Sequence, residues 1–196
     1  GMGGRLENVL VTGPLGKPIN AVYGILEPLT SNDKKTAIIE MSAAAGITLV
    51  DEKDRNPLNT TTYGVGEIIK DAIFKGCRHF IVGIGGSATN DGGIGMLQAL
   101  GYGFHNKNGM PVLFGANGLK ELKSITDEEV IPELKECTFR IACDVNNTLC
   151  GALGCSAVFG PQKGATPTMI MRMDRWLSNY AALCKEKYPN ADKDFP

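Results

Sequence analysis

The segment that most limits what this chain can fold into is Gly83-Ile84-Gly85-Gly86-Ser87-Ala88-Thr89-Asn90-Asp91-Gly92-Gly93. It follows a buried-type strand that opens at His79 and closes at Val82, and Ile94, Leu97 and Leu100 begin a helix directly after it. A strand that empties through a glycine loop into a helix is the repeating unit of α/β layering. Glycines at a strand end admit positive φ and let successive N–H groups turn inward. The helix start behind them adds unsatisfied donors and a partial positive charge. With the short polar side chains of Ser87, Thr89 and Asn90, the loop suits a phosphate or carboxylate. Asp91 stands apart: its carboxylate either binds Mg²⁺ or accepts a proton from a hydroxyl nucleophile, or it caps the helix. The loop is neither a GxxxxGK[ST] nor a GxGxxG motif.

The rest of the chain supplies a sheet for this unit. Residues 8–12 and 20–26 are β-rich runs joined by Gly13-Pro14-Leu15-Gly16-Lys17-Pro18, which predicts an antiparallel hairpin. Residues 35–41 read as a third strand, 42–46 as a helical turn and 51–59 as a polar loop. From 63 to 75, Val65, Ile68, Ile69, Ala72 and Ile73 recur at helical spacing, and Gly76 sits at the expected cap. Asn106-Lys107-Asn108-Gly109 predicts a hairpin turn. Residues 118–125 and 127–134 read as surface helices and 138–143 as another buried strand. Thr166-Pro167 opens a long helix, about 166–186, whose stripe of Met169, Met173, Trp176, Leu177, Tyr180, Ala181 and Cys184 reads as core. The expected fold is one α/β domain, with α+β character, built on a mixed β-sheet with flanking helices.

Three further segments carry candidate chemistry. Cys143-Asp144-Val145-Asn146-Asn147-Thr148 follows a strand and places oxygen ligands at a sheet edge, or forms a turn. Gly160-Pro161-Gln162-Lys163-Gly164-Ala165 sets one lysine inside a glycine loop, either to neutralise phosphate charge or as a solvated loop residue. Arg55 offers a bidentate fork for a carboxylate or phosphate. The loops 85–93, 144–147 and 160–164 are expected to converge on one open cleft. Neither His79 nor His105 stands near a candidate nucleophile in sequence, which removes a Ser-His-Asp triad, and the six cysteines show no CxxC.

Composition narrows the partners. Twenty basic and 21 acidic residues leave a net charge of −1, which excludes a polycationic nucleic-acid arm and gives no cue for an anionic membrane surface. Aromatic residues, at 7%, are too sparse for a base-stacking platform. No apolar run approaches the roughly 18 residues that span a bilayer. The cysteines read as reduced and mostly buried, pointing to a cytoplasmic protein, and Gly1 before Met2 reads as a cleavage scar.

The loop Val82-Gly83-Ile84-Gly85-Gly86-Ser87-Ala88-Thr89-Asn90-Asp91-Gly92-Gly93 resembles the central signature of the type I glycerate kinases. So do Thr12-Gly13-Pro14-Leu15-Gly16, Arg55-Asn56-Pro57-Leu58, Thr60-Thr61-Thr62-Tyr63-Gly64, Cys143-Asp144-Val145-Asn146-Asn147 and Phe159-Gly160-Pro161-Gln162-Lys163-Gly164-Ala165-Thr166, in order from about Val9 to Met173. Members of that family are about twice as long, with N-terminal Asp-Ser-Phe-Lys-Gly-like and Asp-Gly-Gly-Glu-Gly-like blocks and a closing Gly/Ala-rich segment, none of them present here. The family has a flavodoxin-like and a restriction-endonuclease-like domain. The resemblance therefore implies that residues 1–196 are a central fragment, resembling the second domain, with the flavodoxin-like domain mostly absent.

The resemblance implies ATP-dependent phosphorylation of D-glycerate to phosphoglycerate, with Mg²⁺. Within the matching motifs, Asp91 and Asp144 are expected as metal ligands or proton acceptor, and Gly85, Gly86, Ser87, Thr89, Asn90 and Asn146 as phosphate or substrate contacts. Lys163 would neutralise transferring charge, and Arg55 would hold the glycerate carboxylate. A fragment lacking one wall of the cleft is expected to be inactive by itself. The alternative is a non-catalytic binding module for a phosphorylated metabolite. A homo-oligomer stays open.

Overall fold

Hydrophobic alternation at the start of the chain builds a long hairpin. In the computed structural model, whose described residues are 3–28, 30 and 33–191, β1 (Gly4–Thr12) pairs antiparallel with β2 (Pro18–Leu26), and β3 (Lys35–Glu40) pairs antiparallel with β2. The chain then forms a helical turn, α1 (Ser42–Ala45), and a helix, α2 (Tyr63–Phe74), before β4 (Cys77–Gly83) returns parallel to β3. Next come α3 (Ile94–Ala99), β5 (Gly103–His105), α4 (Ala116–Glu121) and β6 (Ser124–Thr126), with β5 and β6 paired antiparallel as a separate ribbon. Finally β7 (Thr138–Ala142) joins β4 in parallel, and α5 (Cys155–Phe159) and α6 (Pro167–Lys187) follow. The mixed sheet runs β1-β2-β3-β4-β7. Gly1-Met2 and the closing Asp194-Phe195-Pro196 lie outside the described residues.

Two apolar clusters hold these elements. Period-2 strands put Tyr23, Ile25, Ala37, Ile39, Phe80 and Val82 on one sheet face, where the stripe of Val65, Ile68, Ile69, Ala72 and Ile73 on α2 buries against them. The second cluster joins Ile94 of α3, Phe104 of β5, Leu119 of α4, Ile125 of β6, and Met173, Trp176, Leu177 and Tyr180 of α6. The other sheet face keeps Leu6, Leu10, Val22 and Ile38 exposed. An open groove of about 400 Å³ lies there, lined by Leu6, Val22, Ile38 and Glu40 among others.

Sequence and structure part in several places. The strand read as buried at 138–143 is β7, an edge strand exposed at all five of its residues, and of the six cysteines only Cys77 is buried while Cys143 is exposed. The helix after the glycine loop, expected over about 91–100, is confined to Ile94–Ala99, because Gly92 and Gly93 adopt φ of +62° and +78°, which no right-handed helix tolerates. Residues 118–125 are not one helix: α4 ends where Leu122 turns extended (ψ 130°), and Ile125 then pairs with Phe104 in the ribbon. Residues 127–134 form only a short 3₁₀ turn over Pro132–Glu136, since Pro132 drives Ile131 out of the helical region (ψ 128°). The Asn-Gly turn is present, with Asn106 Oδ1 accepting from the Asn108 and Met110 amides at 2.9 and 3.1 Å.

The topology places one edge for function. β3, β4 and β7 run parallel, and Glu40, Gly83 and Ala142 are in register at their carboxyl ends. The loops that follow these strands therefore leave from the same edge of the sheet, where open α/β sheets bind ligands.

Candidate functional site

The glycine loop is pinned along its length. Ile47 N–H donates to Gly86 O and Ala88 N–H to Ala45 O, both at 2.8 Å, fixing the loop to the segment after α1. Thr60 Oγ1 donates to Ala88 O at 2.8 Å. Gly85 and Gly86 stay exposed at the tip, and among the described residues their N–H groups have no protein acceptor. Ala88 to Asp91 are buried, and Asn90 Nδ2 donates to Ser156 Oγ of α5 at 2.9 Å.

Lys163 reaches into this loop. Only 7% exposed, it donates from Nζ to Ser87 Oγ at 2.9 Å and to Thr89 O at 2.6 Å. Burial pushes its pKa down, against the weaker pull of Cys155 and Asp91. The glycine loop and the loop 160–164 thus converge through one ammonium. Arg55 adjoins them: a Cβ on Gly164 would stand 2.3 Å from Arg55 O. The Arg55 Nε is shut off from solvent without a hydrogen-bond partner.

Asp144 and Asn146 lie on the connection from β7 to α5. One end of that connection is Ala142, paired with Gly83, and the other is α5, whose Ser156 holds Asn90. The connection therefore borders both ends of the glycine loop. Asp144 and Asn146 are exposed on it, while Asn147 Nδ2 donates to Leu153 O at 3.0 Å, a turn-forming contact.

Asp91 is placed differently from an open ligand. It is 1% exposed; Oδ2 accepts from Thr62 N–H at 2.9 Å and Thr62 Oγ1 at 2.8 Å, and Oδ1 from Gly93 N–H at 3.0 Å. Burial raises its pKa, opposed by these bonds and one from the Gly95 amide. Thr62 Oγ1 in turn accepts from Met96 N–H at 2.9 Å. The carboxylate ties the starts of α2 and α3 together, the capping alternative, and its occupied oxygens do not fit a metal. Asp144, exposed and in no hydrogen bond or ion pair among the described residues, keeps its carboxylate oxygens open, as the one or two carboxylates that Mg²⁺ takes alongside phosphate and water must be. Among the described residues no group of three His, Cys, Asp or Glu side chains could enclose a metal.

Two contributors escaped sequence reasoning. Glu40 closes β3, and a Cβ on Gly83 would lie 2.4 Å from its Oε2, so this carboxylate stands at the root of the glycine loop. Its signal was its place as the last residue of the strand Lys35–Glu40. The buried hydroxyls of Thr60 and Thr62 are the second, and three successive threonines at a helix start were the cue.

Comparison with known proteins shows what the chain as a whole is similar to. The glycerate kinase family matches residues 1–196. The glycerate kinase of Haemophilus influenzae is 49% identical over 182 residues, covering 93% of this chain and 47% of the relative. The glycerate 2-kinase of Escherichia coli K12 is 48% identical over 193 residues, covering 98% and 49%. A Salmonella typhimurium LT2 structure described as a glycerate kinase 2 superposes with a TM-score of 0.92 at 46% identity, over 98% of this chain and 50% of that one. The chain spans about half the length of the curated relatives it matches. With the family matched end to end and the fold shared at this level, the chain belongs to the glycerate kinase family.

Proposed function

We propose that this chain supplies the phosphate-handling part of a kinase that transfers the γ-phosphoryl group of ATP to a hydroxyl of D-glycerate. The observation that carries the reading is the buried Lys163 ammonium bound to Ser87 and Thr89 of an exposed glycine loop. Phosphoryl transfer asks little covalent chemistry of the protein; it asks for positioning and for neutralisation of charge on the transferring group. Gly85, Gly86 and Ser87 would receive phosphate oxygens, with Thr89 and Asn90 fixing the loop behind them. Asp144, with Asn146 beside it, would hold Mg²⁺, which supplies charge neutralisation on the phosphates. Asp91 serves as a positioning residue that sets the helix starts under the loop.

Residues 1–196 form a single domain of a two-domain enzyme, and the catalytic cleft needs the second half that the longer relatives possess. The protein acts in the cytoplasm. The test is ADP formation from ATP, Mg²⁺ and D-glycerate. This chain alone is expected to stay far below the roughly 1–100 s⁻¹ of typical kinases, and a protein of the relatives' length carrying this sequence to reach that range. Turnover by the longer protein that Lys163→Met leaves unchanged would overturn the reading.

A further inference from the structure

Parallel strands bury both faces, because the connections between them lay helices across the sheet. Here the parallel set β3, β4 and β7 advances one way across the sheet. Right-handed crossovers in one direction fall on one face, and the core follows this rule: α2, Met96, Leu100 and Ile131 all pack on the face of Ile39, Phe80 and Val82. The opposite face stays open to solvent. Leu6, Gly24, Ile38 and Ile81 form one row there, in register across four strands. Leu6 is 75% and Ile38 37% exposed, with Leu10 and Val22 exposed beside them. The adjacent row on the covered face, Ile25, Ala37 and Phe80, is at most 1% exposed.

Gly24 sharpens the contrast. Its φ is not positive, and a Cβ there would meet Ile38 at 3.8 Å, an ordinary contact. Neither backbone conformation nor the packing of the described residues therefore asks for glycine. A strand glycine of that kind marks a close approach by something from outside the sheet. It lines the open groove of about 400 Å³ together with Leu6, Val22 and Ile38.

We propose that this face seats a helix from the second half of a protein of the relatives' length, its aliphatic stripe laid over Gly24 between Leu6 and Ile38. Chain length argues for that occupant. This chain covers 47% and 49% of the two curated relatives and 50% of the Salmonella chain, so those proteins carry about as much polypeptide again. A tethered segment meets the face at an effective concentration of about millimolar, which a second copy would have to match free in solution. The parallel strands beneath favour a helix over another sheet. The seat is separate from the carboxyl edge and does not depend on the chemistry proposed there.

The experiment is hydroxyl-radical footprinting, read by mass spectrometry, of this chain and of a protein of the relatives' length carrying this sequence. Leu6, Val22 and Ile38 are expected to oxidise several-fold more slowly in the longer protein. Phe74, exposed on α2 in the other layer, is expected to keep its rate as the internal reference. Leu6→Lys with Val22→Lys should lower the urea midpoint of the longer protein, although exposed substitutions of this kind are nearly silent in this chain. Unchanged oxidation of the three residues relative to Phe74 would overturn the inference. So would protection in this chain alone that grows with its concentration, the signature of a second copy. The footprint is read without substrate. A longer protein that protects the face but forms no ADP would therefore leave the seat standing and remove the kinase reading.

Discussion

At the scale of single residues, burial decides which polar groups work as scaffold and which face a ligand. Asp91 could be located from sequence but not assigned, because a carboxylate opening a helix reads the same whether it faces solvent or Thr62. In the structure it satisfies Thr62 and Gly93 donors inside the protein. Asp91→Ala, which orphans them, should cost about 2–4 kcal/mol in urea unfolding. Asp91→Asn should recover little of that, since its amide would meet donors with a donor. Cys77 gives a pH signature: fully buried in β4, its thiol is pushed up to about 11 from 9.0 by burial. Between pH 9 and 11 the unfolded chain gives up this proton while the folded chain keeps it, so stability falls as pH rises. Cys77→Val should flatten that fall by about 1–2 kcal/mol, read from urea midpoints across the same window.

At the scale of elements, the sequence was most legible where periodicity was long. The hairpin, β3, α2 and α6 all stand where alternation or helical spacing put them, to within a few residues at their ends. Short elements failed for local reasons, such as Pro132 acting on Ile131 or a three-residue strand that exists only through Phe104 opposite Ile125. Nor could spacing show how tightly α2 and α3 touch. A Cβ on Gly66 would stand 2.2 Å from Met96 O and 2.7 Å from Ala99 Cβ. Gly66→Ala improves helix propensity by about 1 kcal/mol, yet overpacking at this contact costs about 1–3 kcal/mol or more. The prediction is a net loss of stability in chemical denaturation; a gain would show that the two helices separate freely.

At the scale of the whole molecule, one sheet face is covered and the other carries Leu6, Leu10, Val22 and Ile38 in the open. Such a patch on a free chain should bind a hydrophobic dye. Leu6→Lys with Val22→Lys should lower dye fluorescence while moving the urea midpoint little, as exposed substitutions do. The proposed site lies elsewhere, at the carboxyl edge where β3, β4 and β7 end in register. That edge was legible as three separate motifs. What joins them was not: Lys163 crosses 74 positions of sequence to reach Thr89, and no local pattern records such a contact. The most direct test is amide chemical-shift mapping of this chain titrated with inorganic phosphate and with D-glycerate. The largest shifts should fall on Gly85, Gly86, Ser87 and the amides around Lys163 and Arg55. Shifts confined to the groove beside Leu6 and Val22, or none at the glycine loop, would contradict the account.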